Sequence, residues 1–218
     1  MLNNILSLFV KPNCPLCQRT AKQIICQYCE QKLRSCQLID YKQFSDPNFL
    51  LFPWGKYDSY LKQAIASFKF DRKKDMGELL GMWLGEAWLE CGWGKIYKKM
   101  TVIPIPLHPE KLKTRGFNQA ELIASSFCDV TGYQLKTNLL IRVKNTEAMF
   151  GLNPQQRKTN INEAFGLGKD YHKINKSQPI LMIDDIYTTG ATVNEGKKVL
   201  TQKNLKIIGV ATVSVTKF

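Results

Sequence analysis

Apolar and polar positions alternate with different periods along the chain, and the changes of period mark its elements. Residues 1–45 carry little periodic apolar sequence, and Pro47 and Pro53 punctuate a short loop after them. Tyr60, Leu61, Ala64, Ile65 and Phe68 then recur at three- and four-residue spacing, as do Leu79, Leu80, Trp83, Leu84 and Ala87, and both series predict helices with one buried face. From Thr101 onward the texture turns to short apolar runs separated by helical stretches. Strands are expected at Val102–Ile105, Leu139–Val143, Ile180–Ile183 and Ile207–Val215, and helices at Gln119–Cys128 and Val193–Gln202. A long polar loop is expected between Asn145 and Asn160. Strands alternating with helices predict an α/β fold, a mainly parallel sheet flanked by helices.

The aperiodic N-terminal stretch changes meaning once its cysteines are counted. Cys14-Pro-Leu-Cys17 and Cys26-Gln-Tyr-Cys29 form a C-x2-C-x8-C-x2-C pattern. Two thiolate pairs at this spacing close a tetrahedron about Zn²⁺, and four protein ligands leave no open position for catalysis. The segment has too little apolar sequence to fold alone, and zinc would contribute folding free energy on the order of 10 kcal/mol. The alternatives are redox-active pairs or unlinked cysteines. Cys36 reads as a small buried residue or a redundant ligand, and Cys91 and Cys128 read as core.

Charge adds a direction. The 218 residues carry a net charge of +13, which favours anionic partners such as nucleic acid, acidic headgroups or a polyphosphate. A solvated surface that resists self-association is the other reading of the same number. No apolar run is long enough to span a membrane, so no membrane insertion is expected. Met1–Val10 lacks the basic start and small-residue cleavage site of a signal peptide. With paired cysteines read as metal ligands, a cytoplasmic setting is expected. Gly77, Gly81 and Gly85 beside Trp83 and Trp88 would suit a membrane helix pair, but Glu78 and Glu86 point instead to close packing on a protein core. His108 and His172 stand apart from the cysteines. Tyr28, Phe52 and Trp54 are aromatic candidates for stacking on nucleic-acid bases, or else core.

The densest chemistry follows the Ile180–Ile183 strand. Asp184-Asp185 come at once, then Ile186-Tyr187, then Thr188-Thr189-Gly190-Ala191-Thr192 at the mouth of a helix. Strand ends of this kind are where open α/β sheets bind ligands. Carboxylates accept hydrogen bonds from a ribose diol, while small hydroxylated residues, a glycine and free helix N–H groups suit a phosphate. Further upstream, Lys111, Lys113 and Arg115-Gly-Phe-Asn-Gln119 form a basic glycine-bearing turn before a helix. Arg115, the N–H of Gly116 and the helix start are candidates to hold pyrophosphate. An exposed basic helix start is the plainer reading of that turn.

The Asp184–Thr192 block resembles the phosphoribosyl pyrophosphate (PRPP) signature of type I phosphoribosyltransferases. Together with the cysteine knuckle, Pro104-Ile-Pro106, the Arg115–Gln119 block, Tyr57 and Phe68-Lys69-Phe70, it makes nearly the whole chain similar to the ComF family, which is associated with bacterial competence and DNA uptake. The resemblance implies a zinc knuckle over 1–45, a helical hood-like region over 46–100 and a phosphoribosyltransferase-like domain over 101–218. It implies that Asp184 and Asp185 hold the ribose hydroxyls and that Thr188, Thr189, Gly190, Ala191 and Thr192 wrap the 5′-phosphate. Mg²⁺ would arrive on the pyrophosphate. Arg142, Lys144 and the following loop to Asn160 correspond to the mobile catalytic loop, in which Met149 stands where the family usually has glutamine. Two functions stay open: pyrophosphate displacement from PRPP by a nitrogen nucleophile, or a non-catalytic factor that handles single-stranded DNA beside other competence proteins.

Overall fold

A computed structural model describes residues 13–44, 47–70, 73–145 and 161–216. Met1–Val10, Met149 and the stretch from 146 to 160 that includes most of the expected loop lie outside the described residues. In chain order the elements are α1 (Gln27–Arg34), β1 (Leu50–Lys56), α2 (Ser59–Phe70), α3 (Lys74–Glu90), the short α4 (Trp93–Ile96) and β2 (Thr101–Pro104). They continue through α5 (Pro109–Arg115), α6 (Gln119–Thr131), β3 (Gln134–Leu135), β4 (Leu140–Arg142), β5 (Phe165–Leu167), β6 (Ile180–Tyr187), α7 (Ala191–Thr201) and β7 (Ile207–Val215).

Five strands form one sheet in the order β1-β7-β6-β2-β3, and every pairing in it is parallel. This is the α/β architecture the alternation predicts. Strand β4 pairs with β5 antiparallel as a separate ribbon. The sheet buries both faces, so its strands read as nearly continuous apolar runs. β7 is buried at every position from Ile207 to Val215.

One element corrects the sequence reading. The stretch around Pro53 is not a loop but β1, which pairs with β7 from Leu50 opposite Gly209 to Lys56 opposite Val215. Proline is tolerated there because β1 is the edge strand, where one row of N–H groups has no partner strand. The sheet thus takes its first strand from the stretch read as helical.

Alternation along β6 separates two cores. Leu181 and Ile183 join a cluster with Phe68, Trp83, Phe127 and Leu33, the face covered by α1, α2, α3 and α6. Ile180 and Met182 join Val193, Leu200, Leu140 and Phe165, the face covered by α7 and the β4–β5 ribbon. On the first face α3 and α6 meet closely because glycines line the contact, as expected. A Cβ on Gly81 would fall 2.4 Å from the carbonyl oxygen of Ile123, and one on Gly85 2.9 Å from Cβ of Val130. The same core absorbs Phe52 and Trp54, at 0% and 1% exposure, which removes both as stacking platforms for bases.

Candidate functional site

Connectivity locates the crevice. From β2 the chain moves through α6 to β3 on one side, and from β6 through α7 to β7 on the other. Adjacent parallel strands whose connections depart in opposite directions leave an opening beyond their carboxyl ends. Here that opening lies between the segment after β2 and the turn after β6.

The two aspartates sit at this position, but not as expected. They belong to β6 itself, which keeps its register with β7 through Asp184 opposite Thr212 and Tyr187 opposite Val215. Successive side chains of a strand leave on opposite faces. Asp184 therefore continues the face of Ile180 and Met182, and Asp185 the face of Leu181 and Ile183. The carboxylates are not a pair in a turn. Asp185 is in direct contact with Lys69, whereas Asp184 feels both Lys69 and Arg142.

Asp185 is buried, and its Oδ2 lies 2.5 Å from Nζ of Lys69, in the last turn of α2. Its backbone N–H donates to Oδ1 of Asp184 at 2.8 Å. Burial pushes Asp184 up from the usual carboxylate range, and repulsion by Asp185 adds to it. The Asp185 N–H, Lys69 and Arg142 pull the other way. Arg142, at the end of β4, packs its guanidinium 5.6 Å from the Phe165 ring centroid. Burial lowers its pKa, and the charge of Asp184 opposes that.

Three cations converge on the side of α5. Burial lowers the Lys111 ammonium first, and repulsion from Arg142 and Arg115 lowers it further, so Lys111 feels both arginines. Arg115 is lowered by burial and partly restored by Asp185. Its guanidinium donates to Oε1 of Gln119 at 2.6 Å, which fixes its direction. Nε2 of the same buried Gln119 has no hydrogen-bond acceptor. Asn118 caps α6 by accepting from the N–H of Ala120, and it ties this turn to the end of β2 by donating to the Ile105 carbonyl at 3.0 Å. Gly116 plays a different part from the one expected. Its N–H donates to Leu112 at 2.7 Å and its φ is +84°, so it closes the C-terminus of α5 in a conformation that favours glycine. That N–H is committed to the helix.

After β6, Thr188 and Thr189 lead to Gly190, whose φ of +75° turns the chain into α7. A Cβ on Gly190 would fall 2.3 Å from the Tyr187 hydroxyl, so the turn also needs glycine for space. Oγ1 of Thr189 accepts from the N–H of Ala191 at 3.5 Å. Thr188, Thr189, Ala191 and Thr192 are partly exposed around the first turn of the helix, where N–H groups and the helix dipole face an incoming anion. The Thr188–Thr192 stretch thus forms the turn that opens α7.

The structure does not gather every predicted residue. Lys144 is exposed, and its Nζ donates to the Asn162 carbonyl at 3.4 Å rather than to a group of the crevice. Asn145 contacts the Glu110 carboxylate on α5, tying the chain after β4 to the basic side. Conversely, two residues were missed as site residues. Lys69 was named only within the Phe68-Lys69-Phe70 stretch of the family resemblance, with no role of its own, and only packing brings it to Asp185. Lys111 was legible as part of a basic run, but a run does not show which of its members turns inward.

The cysteines form a second candidate site. The Sγ atoms of Cys14, Cys17, Cys26 and Cys29 all lie within 4.8 Å of one another, with Cys17 and Cys26 3.5 Å apart. Tetrahedral Zn–S bonds of roughly 2.3 Å span separations of this size. All seven cysteines are free thiols. Burial tends to raise Cys14, but hydrogen bonds from the backbone of Cys26, Leu16 and Cys17 outweigh it and bring the thiol down to about 7. Cys29 is pushed well above the ordinary thiol range by burial and by its three neighbours. The cluster fits a metal by its geometry, four thiols on one small segment with every pair of Sγ atoms within 4.8 Å. The cluster can hold a structural metal such as zinc. Gln18 closes the first turn at φ +63°. Cys36 and Cys128 are buried as expected, while Cys91 is exposed and not core, because it follows the last turn of α3.

No protein-family model matches the chain. Among curated proteins it is 29% identical over 199 residues to "Competence protein ComFC" of Streptococcus pneumoniae, which covers 89% of this chain and 76% of that protein. It is 31% identical over 160 residues to "Competence protein F" of Haemophilus influenzae, covering 72% of this chain and 68% of that one. The chain belongs to the ComF family. A further ComF-related match is "DNA utilization protein YhgH" of Salmonella typhimurium, 25% identical over 170 residues, or 75% of this chain and 71% of that protein. Among solved structures the chain is similar to an adenine phosphoribosyltransferase with a TM-score of 0.42 and 11% identity, over 87% of this chain and 91% of that one. Another, from Leishmania donovani, gives 0.41 and 14% over 78% and 73%. In this ComF chain the N-terminal cysteine cluster and the parallel sheet, with its opening at β2 and β6, are two separate features. Among the described residues no helix is long and apolar enough to cross a membrane.

Proposed function

We propose that the crevice binds PRPP as its Mg²⁺ complex and that the protein serves competence or DNA utilisation, as the names of its ComF relatives indicate. The observation that carries this reading is the arrangement around the end of β6: two carboxylates, a lysine repelled by Arg115 and Arg142, and a Thr-Thr-Gly-Ala-Thr helix mouth on one opening. Asp184 and Asp185 suit ribose hydroxyls. The Thr188–Thr192 turn suits the 5′-phosphate. Lys111, Arg115 and Arg142 suit the pyrophosphate, whose charge grows as it leaves. In the corresponding reaction a nitrogen nucleophile forms a bond to C1 of the ribose as the C1–oxygen bond to pyrophosphate breaks and the bonding pair departs with pyrophosphate. The protein contributes position and countercharge. The test is calorimetric titration with Mg²⁺–PRPP, followed by a pyrophosphate-release assay over a panel of bases and amines. Saturable binding is expected, and no binding overturns the reading. Binding without release for every acceptor leaves a PRPP-sensing protein in place of a transferase.

A second reading has its own observation. Tyr28 and Tyr60 are exposed at 47% and 39%, and Lys32 lies 5.7 and 5.5 Å from their ring centroids while Arg19 lies 4.6 Å from that of Tyr28. Exposed rings interleaved with cations, beside the metal cluster and on a chain of charge +13, suit the bases and phosphates of single-stranded DNA. This reading expects affinity for an oligonucleotide that falls steeply with salt and drops in Tyr28→Ala and Tyr60→Ala. Affinity indifferent to both salt and substitution defeats it.

A further inference from the structure

Two adjacent carboxylates on a largely buried strand need countercharge inside the protein when no ligand supplies it. Among the described residues the cations that act on them are Lys69 from α2, Arg115 from α5 and Arg142 from β4. On β7, Thr212 and Ser214 face them without charge, and the Ser214 hydroxyl donates to the Asp185 carbonyl at 3.4 Å. Lys69 makes a direct ion pair with one of the two carboxylates, its Nζ 2.5 Å from Oδ2 of Asp185. Both side chains are largely withdrawn from water, at 21% and 12% exposure, so the contact is weakly screened.

Its placement is built by its neighbours. Phe68 is fully buried and stacks on Phe117, with ring centroids 5.4 Å apart and an interplanar angle of 21°. Phe117 belongs to the turn that carries Arg115, and Lys74 of α3 lies 5.6 Å from its ring centroid. Gly77 of α3 leaves the room that the Phe68 ring fills. The end of α2 is therefore clamped between α3 and the basic turn. The residue after Phe68 has its backbone fixed in front of Asp185.

We propose that Lys69 is a positioning residue of the crevice, which holds the Asp185 carboxylate in place and supplies the countercharge of the Asp184–Asp185 pair until ligand binds. This rests on the ribose-phosphate reading of the site, and deepens it by assigning a part of that site to the segment between β1 and α3. The ribose hydroxyls then meet a carboxylate already aimed and charged, and the ammonium remains beside the ligand's anionic groups. Removing the ammonium makes the pair hold a proton to higher pH, and a protonated pair is a poorer acceptor for the diol.

The test uses the full chain with its metal, as wild type, Lys69→Met and Lys69→Arg, and has two readouts. The first is a carbon-13 titration of the aspartate carboxyls without ligand, with Asp184→Asn to assign the signal. In Lys69→Met the Asp184 midpoint should move up by about one pH unit or more, and in Lys69→Arg it should stay near the wild-type value. The second is Mg²⁺–PRPP affinity as a function of pH. Lys69→Met should bind at least about tenfold more weakly at pH 7 and recover part of the loss as pH rises, while Lys69→Arg stays close to wild type. An unmoved Asp184 midpoint in Lys69→Met overturns the proposal. So does equal impairment of both variants, which marks a structural role for the end of α2. If wild type itself fails to bind Mg²⁺–PRPP, the ribose-phosphate reading falls, and the ligand-free titration alone decides the role of Lys69.

Discussion

The cysteine cluster and the carboxylate crevice both crowd acidic groups together, and they resolve the crowding differently. At the cluster, four thiols face one another within 4.8 Å, and once ionised they would need a cation from outside to offset their charge. At the crevice, strand alternation sends Asp184 and Asp185 to opposite faces, where Arg142 and Lys69 meet them. The first arrangement can take its countercharge from a bound metal. The second is complete but poised, because a polyphosphate ligand can draw on the same cations. A site that lacks its countercharge reads as a structural metal site, and one that carries it reads as a site for exchange.

The sharpest way to break this comparison is to remove the metal. Chelation, or Cys29→Ser, should unfold the knuckle and destabilise the protein by several kcal/mol, because Cys14, Cys26, Cys29 and Leu33 share a core with α2 and α3. Metal analysis should give one zinc per wild-type chain. A melting temperature unmoved by chelator would show that the thiols need no cation.

The crevice should behave in the opposite sense. Asp185→Asn should weaken Mg²⁺–PRPP binding by about 100-fold, the cost of losing a charged acceptor at a buried site, while leaving the zinc content unchanged. Calorimetry checks the first outcome and metal analysis the second.

Asp184 carries a pH signature. Its folded-state pKa is raised, so its contribution to stability is fully present below the unfolded value and is lost as pH rises through the folded one. Stability should therefore decline from about pH 4 toward neutrality and beyond on account of this group. Asp184→Asn should flatten that decline and raise stability near pH 8 by about 1–2 kcal/mol. Denaturant melts at several pH values measure it, and a variant with the wild-type slope would contradict the burial argument.

The smallest expected effect returns to the knuckle. Gln18 holds φ +63°, where a Cβ is unfavourable, so Gln18→Gly should stabilise the metal-loaded protein by about 0.5–1 kcal/mol. A loss of stability would show that the Gln18 side chain makes contributions beyond its backbone.

Legibility followed distance along the chain. The four cysteines span 16 residues and the Asp184–Thr192 block is one continuous run, so spacing alone displayed both. The β7 strand matched its apolar run from Ile207 to Val215 end to end, because a strand buried on both faces leaves an unbroken signature. The β1 strand was hidden by Pro53, whose usual meaning as a breaker does not hold on an edge strand. Cys91 was misread because a helical pattern does not show where the helix ends.

What the sequence determined by itself is the local chemistry: a knuckle of thiols, a run of carboxylates and hydroxyls at a strand–helix junction, and a basic turn. Tertiary structure decided which groups face each other. It extended β6 through the aspartates and so divided them between two faces. It committed the Gly116 N–H to the end of α5, and it brought Lys69 from a distant helix to within 2.5 Å of Asp185. The physical reason is range. Backbone geometry and ligand spacing act over a few residues and are written in the local sequence, whereas countercharge acts through space and depends on which helix the core packs against the strand.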